Sequence, residues 1–364
     1  MPVADKDKFQ EALRENVPLA AMTTLGIGGP ARYFAEVESP EALSAGIEWA
    51  RSRGVPFYVI GGGSNIVVAD RGFPGLVVRV SIPGIETRFD GDQVVITAGA
   101  GEEWDQLVAE CVVQNWAGFE CLSGIPGRVG ATPIQNVGAY GQETSETLAA
   151  VEALDLATAS LVDLAASECE FGYRSSRFKT RDRFRFIITR VTYRLVVGGT
   201  PAVRYPELQR YVDELGVAQP VLADVRDAVL TIRRRKAMVI NLQDIDSRSV
   251  GSFFVNPTVS ADEYATIKER LAALDPADAN LPAFPASDGR VKLSAAWLIE
   301  RAGIKRGFTY ANVGTSSKHA LAIINRGGGT AREVVELKGL IQHRVKEAFG
   351  IELTPEPVFV GFED

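Results

Sequence analysis

The sequence predicts an α+β protein whose strands and helices do not alternate in the regular way of a Rossmann fold. Short apolar runs such as 57–60 are bounded by proline and glycine, which is typical of strands. Longer stretches such as 221–235 repeat apolar residues at helical spacing. A segment of glycine, threonine and proline over 198–201 marks a junction between domains.

The elements before this junction follow from local signals. Residues 16–31 are uncharged and hold four glycines and prolines at 26–30, so we predict a loop there. Ser39 can cap a helix over 39–54 that has Pro40 in its first turn. The remaining elements of this half are strands at 57–60, 76–80 and 94–97, a helix over about 102–117, and strands near 151–156 and 184–196.

The elements after the junction are mostly helical. Thr330 and Glu333 form a capping box that opens a long helix to about residue 349. We expect the last strand, at 357–361, to return to the first domain. The other elements are helices near 221–235, 261–273 and 294–302, and a strand near 320–324.

Composition and charge exclude several classes of protein. The chain has 364 residues, which is roughly two to three domains at about 150 residues each. Its net charge of −7 argues against nucleic-acid binding. Residues 1–8 lack the apolar core of a signal peptide, and no run of about 18 apolar residues could span a membrane. The sequence therefore predicts no nucleic-acid or membrane partner.

Cysteine and histidine usage narrow the chemistry further. The three cysteines show no metal-ligand spacing, so we interpret them as reduced thiols of a cytoplasmic protein. The chain has only two histidines, His319 and His343. So few histidines argue against a serine–histidine–aspartate hydrolase and against a histidine-based metal site.

A glycine loop follows the predicted strand at 57–60 and is the first candidate site. In the run 61–65, three glycines let successive backbone N–H groups converge on an anion, and Ser64 and Asn65 add side-chain donors. A simple tight turn is the alternative. The spacing matches neither G-x-G-x-x-G nor a P-loop. The loop is similar to that of the flavin-binding fold shared with vanillyl-alcohol oxidase.

A second glycine-rich segment, over 122–144, is the next candidate. Its turn at 124–127, Gly-Ile-Pro-Gly, allows close backbone approach to a planar ligand such as an isoalloxazine ring. Gln135 and Asn136 can supply amide groups to the polar edge of that ligand. A structural loop without a ligand is the alternative.

Together these segments resemble the UDP-N-acetylenolpyruvoylglucosamine reductases, flavoenzymes of peptidoglycan precursor synthesis, from about residue 16 to 361. The resemblance implies a vanillyl-alcohol-oxidase-type FAD-binding fold of two α+β subdomains, followed by a C-terminal α/β substrate-binding domain. The implied ranges are 1–82 joined by about 351–364, then 83–200, then 201–350. Non-covalent FAD would be held by Ile60, Gly61, Gly62, Gly63, Ser64, Asn65, Ile66, Gly124, Ile125, Pro126, Gly127, Gly130, Ala131, Gln135, Asn136, Gly138, Ala139 and Tyr140.

The resemblance also implies three catalytic residues. Arg174 follows Gly172 and Tyr173, Ser252 lies in a Gly-Ser-Phe-Phe run, and Glu356 stands between two prolines. Hydride would pass from flavin N5 to the terminal carbon of an enolpyruvyl group, and Ser252 would protonate the adjacent carbon. Arg174 and Glu356 would stabilise the negative charge that develops, Glu356 as a protonated or hydrogen-bonding partner. Without the motifs, the alternatives are a surface arginine, a turn serine and a loop glutamate.

Four consecutive cations over 233–236 suit a diphosphate, although one solvated helix face is the alternative. The resemblance implies substrate contacts from Tyr173, Tyr205, Arg233, Lys236, Asn256 and Arg301. Tyr205 matches the tyrosine loop of one branch of the family. Some relatives have Gly-Asp where this chain has Pro206 and Glu207.

The implied reaction uses NADPH as co-substrate to reduce UDP-N-acetylglucosamine enolpyruvate to UDP-N-acetylmuramate, and we expect a monomer. Two other functions stay open on the residues alone. One is an FAD-dependent alcohol or hydroxy-acid oxidase of the same fold. The other is a non-catalytic module that binds flavin or a nucleotide sugar.

Overall fold

A computed structural model describes residues 9–274, 281–286 and 289–362. The first eight residues, where the sequence shows no signal peptide, lie outside the described residues. The strands are β1 Arg14–Pro18, β2 Pro30–Val37, β3 Phe57–Ile60, β4 Ile66–Val68, β5 Phe73–Val80, β6 Ile85–Asp90, β7 Gln93–Gly99, β8 Trp116–Ala117, β9 Gly138–Ala139, β10 Gln142–Glu143, β11 Leu148–Asp155, β12 Ser160–Ala165, β13 Phe186–Val197, β14 Thr258–Val259, β15 Ala283–Pro285, β16 Val291–Leu293, β17 Thr309–Tyr310, β18 Val313–Thr315, β19 Ile323–Asn325 and β20 Val358–Val360. The helices are α1 Pro40–Ser52, α2 Trp104–Val113, α3 Pro206–Glu214, α4 Leu222–Arg235, α5 Ala261–Leu274, α6 Ala295–Arg301 and α7 Ala331–Phe349.

The chain folds into two compact units, each assembled from separate segments. The first unit comprises the described residues of Met1–Val17, Pro30–Gly63 and Phe73–Val239. The second comprises those of Pro18–Gly29, Ser64–Gly72 and Ile240–Asp364. The three-domain division given above stays a prediction.

Two sheets form the framework of the first unit. One has the order β1-β2-β5-β3, with parallel pairing between β2, β5 and β3. The other has the order β12-β11-β13-β7-β6, and β8 pairs with β13 at its side. Helix α1 begins where the Ser39 side chain accepts a hydrogen bond from the Ala42 N–H, as the sequence predicted.

An aromatic cluster lies in the core of the first unit. The Phe119 ring meets the Trp104 ring edge-on at a centroid distance of 4.9 Å and the Tyr193 ring at 5.0 Å. The buried Tyr193 hydroxyl is 2.7 Å from the Thr132 hydroxyl, which satisfies both polar groups. This packing fixes α2 and the chain around residue 132, and both carry candidate site residues.

The described part of the second unit consists of short sheets and three α-helices. Its strands are ordered β14-β16-β15 and β17-β18-β19, and β20 pairs in parallel with β4. Helix α7 begins at Thr330 with the predicted capping box to Glu333. Among the described residues, no helix is both long enough and apolar enough to cross a membrane.

Most predicted elements are confirmed, but two predictions are wrong in extent. The helix predicted over 102–117 ends at Val113, because Asn115 has a φ of +58° and β8 then pairs with β13. The loop predicted over 16–31 is a strand at both ends, β1 and β2. β1 is an edge strand, where a terminal proline such as Pro18 is tolerated. Helix α3, which has Pro206 in its first turn, was not predicted.

Replacing Phe119 tests the aromatic cluster. The side chain is fully buried, so Phe119→Ala should cost about 3–5 kcal/mol through lost contacts and a residual cavity. Thermal and urea unfolding midpoints would measure the loss. The control is Phe184→Ala, since the Phe184 side chain is 63% exposed. Equal effects from the two variants would contradict the assignment of this cluster as core.

Candidate active site

The two glycine loops meet in the first unit. β3 ends at Ile60, and a Cβ atom placed on Gly62 would lie 2.8 Å from the Cα atom of Gly127. A real Cβ atom does not approach another backbone so closely. The loop at 61–63 and the turn at 124–127 therefore form one backbone cradle, which only glycine at position 62 allows.

Asp105 anchors the turn at 124–127. Its carboxylate accepts hydrogen bonds from the Gly124 N–H at 2.6 Å and from two Arg226 nitrogens at 2.7 and 3.1 Å. Burial opposes ionisation, yet these hydrogen bonds and the Arg226 charge hold the pKa of Asp105 below its usual range. The Trp104 N–H also donates to the Gly127 carbonyl at 3.1 Å. The first turn of α2 thus holds both ends of the turn.

Arg233 lies beside the same turn. A Cβ atom on Gly124 would lie 3.4 Å from the Arg233 Nε atom. The Arg233 Nη2 atom donates to the Met238 carbonyl at 2.7 Å, but the buried Nε has no hydrogen-bond partner among the described residues. Burial lowers the pKa of Arg233. A buried donor without a partner beside a glycine turn fits an anionic ligand.

Three candidate residues share an uncommon backbone conformation. Asn136, Tyr140 and Arg174 have φ values of +46°, +49° and +53°. Such conformations cost on the order of 1–3 kcal/mol for most residues and are concentrated at functional sites. The Asn136 amide donates to Glu143 at 2.6 Å and to the Gly172 carbonyl at 3.2 Å, and its oxygen accepts from the Ser145 N–H at 2.9 Å.

The Asn136 side chain therefore supports the loop. A flavin contact from Asn136 stays a prediction.

Arg174 is positioned by Gly138. Its Nη2 atom donates to the Gly138 carbonyl at 2.7 Å, and a Cβ atom on Gly138 would lie 3.3 Å from Nη1. The guanidinium carbon lies 5.7 Å from the centroid of the Tyr173 ring. Lys179 donates to the Arg174 carbonyl at 3.3 Å and to the Gln135 side chain at 3.4 Å. This network links the catalytic candidate to two predicted cofactor residues.

The remaining candidates of the first unit cluster around α3 and α4. The Tyr140 and Tyr205 rings meet edge-on at 5.6 Å, and burial raises the pKa of both phenols. Lys236 follows the last residue of α4 and forms an ion pair with Glu207 at 2.6 Å. Ile125, Pro126, Gly130, Ala131 and Ala139 lie on the loops and short elements already described.

In the second unit, two catalytic candidates lie on paired segments. The Glu356 N–H donates to the Phe253 carbonyl at 2.9 Å, and Phe254 forms an antiparallel bridge with Pro355. Gly251, with a φ of +76°, turns the chain just before Ser252. Backbone pairing therefore places Glu356 opposite Phe253, the residue that follows Ser252, although the two segments are far apart in sequence.

Asn65 joins this pair. Its side-chain nitrogen donates to the Glu356 carbonyl at 3.4 Å, and its carbonyl accepts from the Val358 N–H at 3.0 Å. Strand β4, which contains Ile66, then pairs with β20. The polar end of the glycine loop, Ser64 and Asn65, thus belongs to the same unit as Ser252 and Glu356.

Two predicted substrate residues have structural contacts of their own. The Asn256 side-chain oxygen accepts from the Ala295 N–H at 2.9 Å, at the start of α6. The Arg301 guanidinium carbon lies 5.4 Å from the centroid of the Trp297 ring. These contacts orient both side chains, and their contact with substrate stays a prediction.

Sequence reasoning missed three polar residues around the site: Asp105, Arg226 and Glu207. Asp105 and Arg226 are 121 positions apart, so no local motif could reveal their ion pair. The one available signal was charge. Asp105 and Glu207 are carboxylates, and the run at 233–236 offers the cations with which carboxylates form ion pairs.

The predicted FAD fits the residues present. A side chain at position 62 would fill the cradle formed by Gly62 and Gly127, so the glycine keeps the backbone open to a ligand. Among the described residues, no group of three or more histidine, cysteine, aspartate and glutamate side chains could hold a metal ion.

Comparisons with known proteins agree with this geometry. A model of an FAD binding domain matches residues 31–165, and a model of the UDP-N-acetylenolpyruvoylglucosamine reductase C-terminal domain matches residues 243–360. The chain is 49% identical to a UDP-N-acetylenolpyruvoylglucosamine reductase of Thermobifida fusca, over 95% of this chain and 97% of that protein. It is 46% identical to one of Saccharopolyspora erythraea, over 94% of each.

A solved structure shares the fold. The crystal structure of the reductase from Thermus caldophilus is similar with a TM-score of 0.63 and 26% identity, over 96% of this chain and 99% of that one. The predicted α+β class with a vanillyl-alcohol-oxidase-type FAD-binding fold is confirmed.

A Gly62→Ala variant tests the backbone cradle. The added methyl group would meet the Gly127 backbone, which cannot move aside as a flexible side chain could. We expect the purified variant to carry much less FAD, measured as the ratio of flavin to protein absorbance. The control is Gly339→Ala on α7, where a Cβ atom meets nothing within 4 Å. Full FAD loading of Gly62→Ala would contradict the cradle.

The ionised Asp105 side chain gives a pH-dependent prediction. Its folded-state pKa is lowered, so its contribution to stability is complete above an unfolded-state pKa of about 3.9 and disappears as the pH falls through the folded value. Asp105→Asn should lower the urea midpoint at neutral pH, and its difference from the wild type should narrow below about pH 4. A difference that stays constant from pH 7 to pH 3 would contradict this ion-pair role.

Proposed function

The chain belongs to the UDP-N-acetylenolpyruvoylglucosamine reductase family, and on that basis we propose that it reduces UDP-N-acetylglucosamine enolpyruvate to UDP-N-acetylmuramate with NADPH. Membership of the family makes it an FAD-containing oxidoreductase of peptidoglycan precursor synthesis that uses NADP. When bound, FAD supplies the hydride carrier between the two substrates. The proposal includes a monomer in the cytoplasm, in keeping with three buried free cysteines.

One observation carries the proposed chemistry: the pairing of the segment that holds Ser252 with the segment that holds Glu356. A proton donor must stand at a fixed place beside the carbon that it protonates, because proton transfer requires short reach. Backbone hydrogen bonds of Phe253, the next residue, to Leu321 and Glu356 restrict the chain at Ser252 and support this role. The prolines on either side of Glu356 restrict its backbone in the same way.

Each carboxylate or cation has a role that its contacts support. The Ser252 hydroxyl donates a proton to the carbon next to the enolpyruvyl carboxylate. Glu356, whose backbone N–H donates to the Phe253 carbonyl, stabilises the enol-like charge as a protonated or hydrogen-bonding partner before that proton arrives. Arg174 pairs with the substrate carboxylate, and its bond to the Gly138 carbonyl fixes the direction of the guanidinium.

The nucleotide end of the substrate needs cations. Arg233 and Lys236, at the end of α4, bind the diphosphate in this proposal. Arg233 is suited to this role because its buried Nε atom lacks a partner among the described residues. Tyr205, which directly precedes α3, contacts the substrate from the side of Tyr140.

A Ser252→Ala variant tests the assigned proton donor. Loss of a general acid lowers the rate by about 10²–10⁴, so reoxidation of reduced FAD by the enolpyruvyl sugar should slow by that factor. Reduction of FAD by NADPH should keep its normal rate, because that half-reaction needs no proton from Ser252. Stopped-flow absorbance separates the two half-reactions.

The matched control is Ser52→Ala, an exposed serine near the end of α1. Normal turnover of the enolpyruvyl sugar by a fully FAD-loaded Ser252→Ala variant would show that the assigned role is wrong.

A further inference from the structure

We propose that Glu207 is an internal competitor for the ligand diphosphate: its carboxylate occupies Lys236 and thereby sets the affinity of the site for nucleoside diphosphates. The inference rests on the proposed function, in which Lys236 binds the substrate diphosphate. It adds a specificity-determining residue, Glu207, which follows Pro206 in this chain.

The ion pair is short and open to ligands. The Lys236 Nζ atom and the Glu207 Oε2 atom are 2.6 Å apart, and each side chain is 32% exposed. This exposure means that solvent and a charged ligand can reach both partners. It also means that the pair is partly screened and can exchange one anion for another at modest cost.

The positions of the two residues on their helices favour this pairing. Glu207 lies in the first turn of α3, where the helix dipole stabilises a negative charge. Lys236 follows the last turn of α4, where the helix dipole stabilises a positive charge. Its backbone N–H donates to the carbonyl oxygens of Arg233 and Arg234. Local structure therefore supports both charges before any ligand binds.

The packing of α3 on α4 keeps the pair in place. Leu208 and Val212 of α3 pack in one buried cluster with Val225 and Ile232 of α4. The Arg235 guanidinium carbon lies 4.9 Å from the centroid of the Tyr211 ring on the same interface. With the backbones fixed in this way, Glu207 can hold Lys236 with little further loss of entropy.

A phosphate group that binds Lys236 competes with the Glu207 carboxylate, because two anions in contact with one ammonium group repel each other. A diphosphate offers more charge than one carboxylate and can compete, whereas a neutral sugar cannot. Displacement of the Glu207 carboxylate takes place close to Tyr205, which is two residues earlier in the sequence. The Tyr205 ring lies against the Tyr140 ring. Exchange of anions at Lys236 is thus coupled to the segment that carries the tyrosine.

The test measures UDP binding to the FAD-loaded protein by calorimetry, with Glu207→Gln, Lys236→Ala and the double variant. Removing a partly exposed competing charge should tighten UDP binding by about two- to fivefold at low salt, and the gain should shrink as salt screens the pair. Lys236→Ala should weaken binding. In the Lys236→Ala background, Glu207→Gln should have no effect, since its target is gone.

Glu214→Gln is the matched control, because Glu214 is exposed at the far end of the same helix and its substitution removes the same charge. Equal tightening by Glu214→Gln would overturn the inference, since the effect would then come from net charge. Unchanged or weaker binding by Glu207→Gln, with weaker binding by Lys236→Ala, would overturn the competitor role alone. Unchanged UDP affinity in Lys236→Ala would contradict both the assignment of Lys236 to the diphosphate and this inference. Turnover of the enolpyruvyl sugar would still test the proposed reaction separately.

Discussion

The close approach of the Gly62 and Gly127 backbones is the constraint on which the proposed flavin site depends. This approach requires a glycine loop after β3 and a second turn, at 124–127, that is held against the loop by the first turn of α2. The Asp105 carboxylate and the Trp104 N–H hold that turn at Gly124 and Gly127. The buried aromatic packing around Trp104 in turn fixes α2. Each layer therefore supports the position of the next, from core to cradle.

The proposed catalytic residues of the second unit depend on a different kind of constraint. Ser252 and Glu356 come from distant parts of the sequence, and antiparallel backbone pairing places Glu356 opposite Phe253, the residue that follows Ser252. Asn65 then links Glu356 to the strand that follows the glycine loop.

The sequence could predict features that arise from local physics. Ser39 and Thr330 were identifiable as helix caps because the capping residue and the helix are adjacent. The glycine loops were identifiable because a high glycine content by itself indicates backbone conformational freedom. The roles of Arg174, Ser252 and Glu356 came only from resemblance, since an isolated arginine, serine or glutamate has no distinctive local signal.

The charged contacts around the site could not be predicted, because they depend on tertiary packing. Asp105 meets Arg226 only after α2 and α4 lie side by side, and Glu207 meets Lys236 only after α3 packs on α4. The missed helix α3 shows the same limitation. Its sequence has few apolar residues, and its stability comes from burying Leu208 and Val212 against α4.

The most direct test of the account is an anaerobic absorbance titration of the purified protein, first with NADPH and then with UDP-N-acetylglucosamine enolpyruvate. The account predicts that NADPH bleaches the visible flavin band and that the enolpyruvyl sugar restores it, because both substrates exchange hydride through one FAD. A band that bleaches and never returns would contradict the assigned acceptor. A folded protein that has no flavin band and takes up no added FAD would contradict the account as a whole.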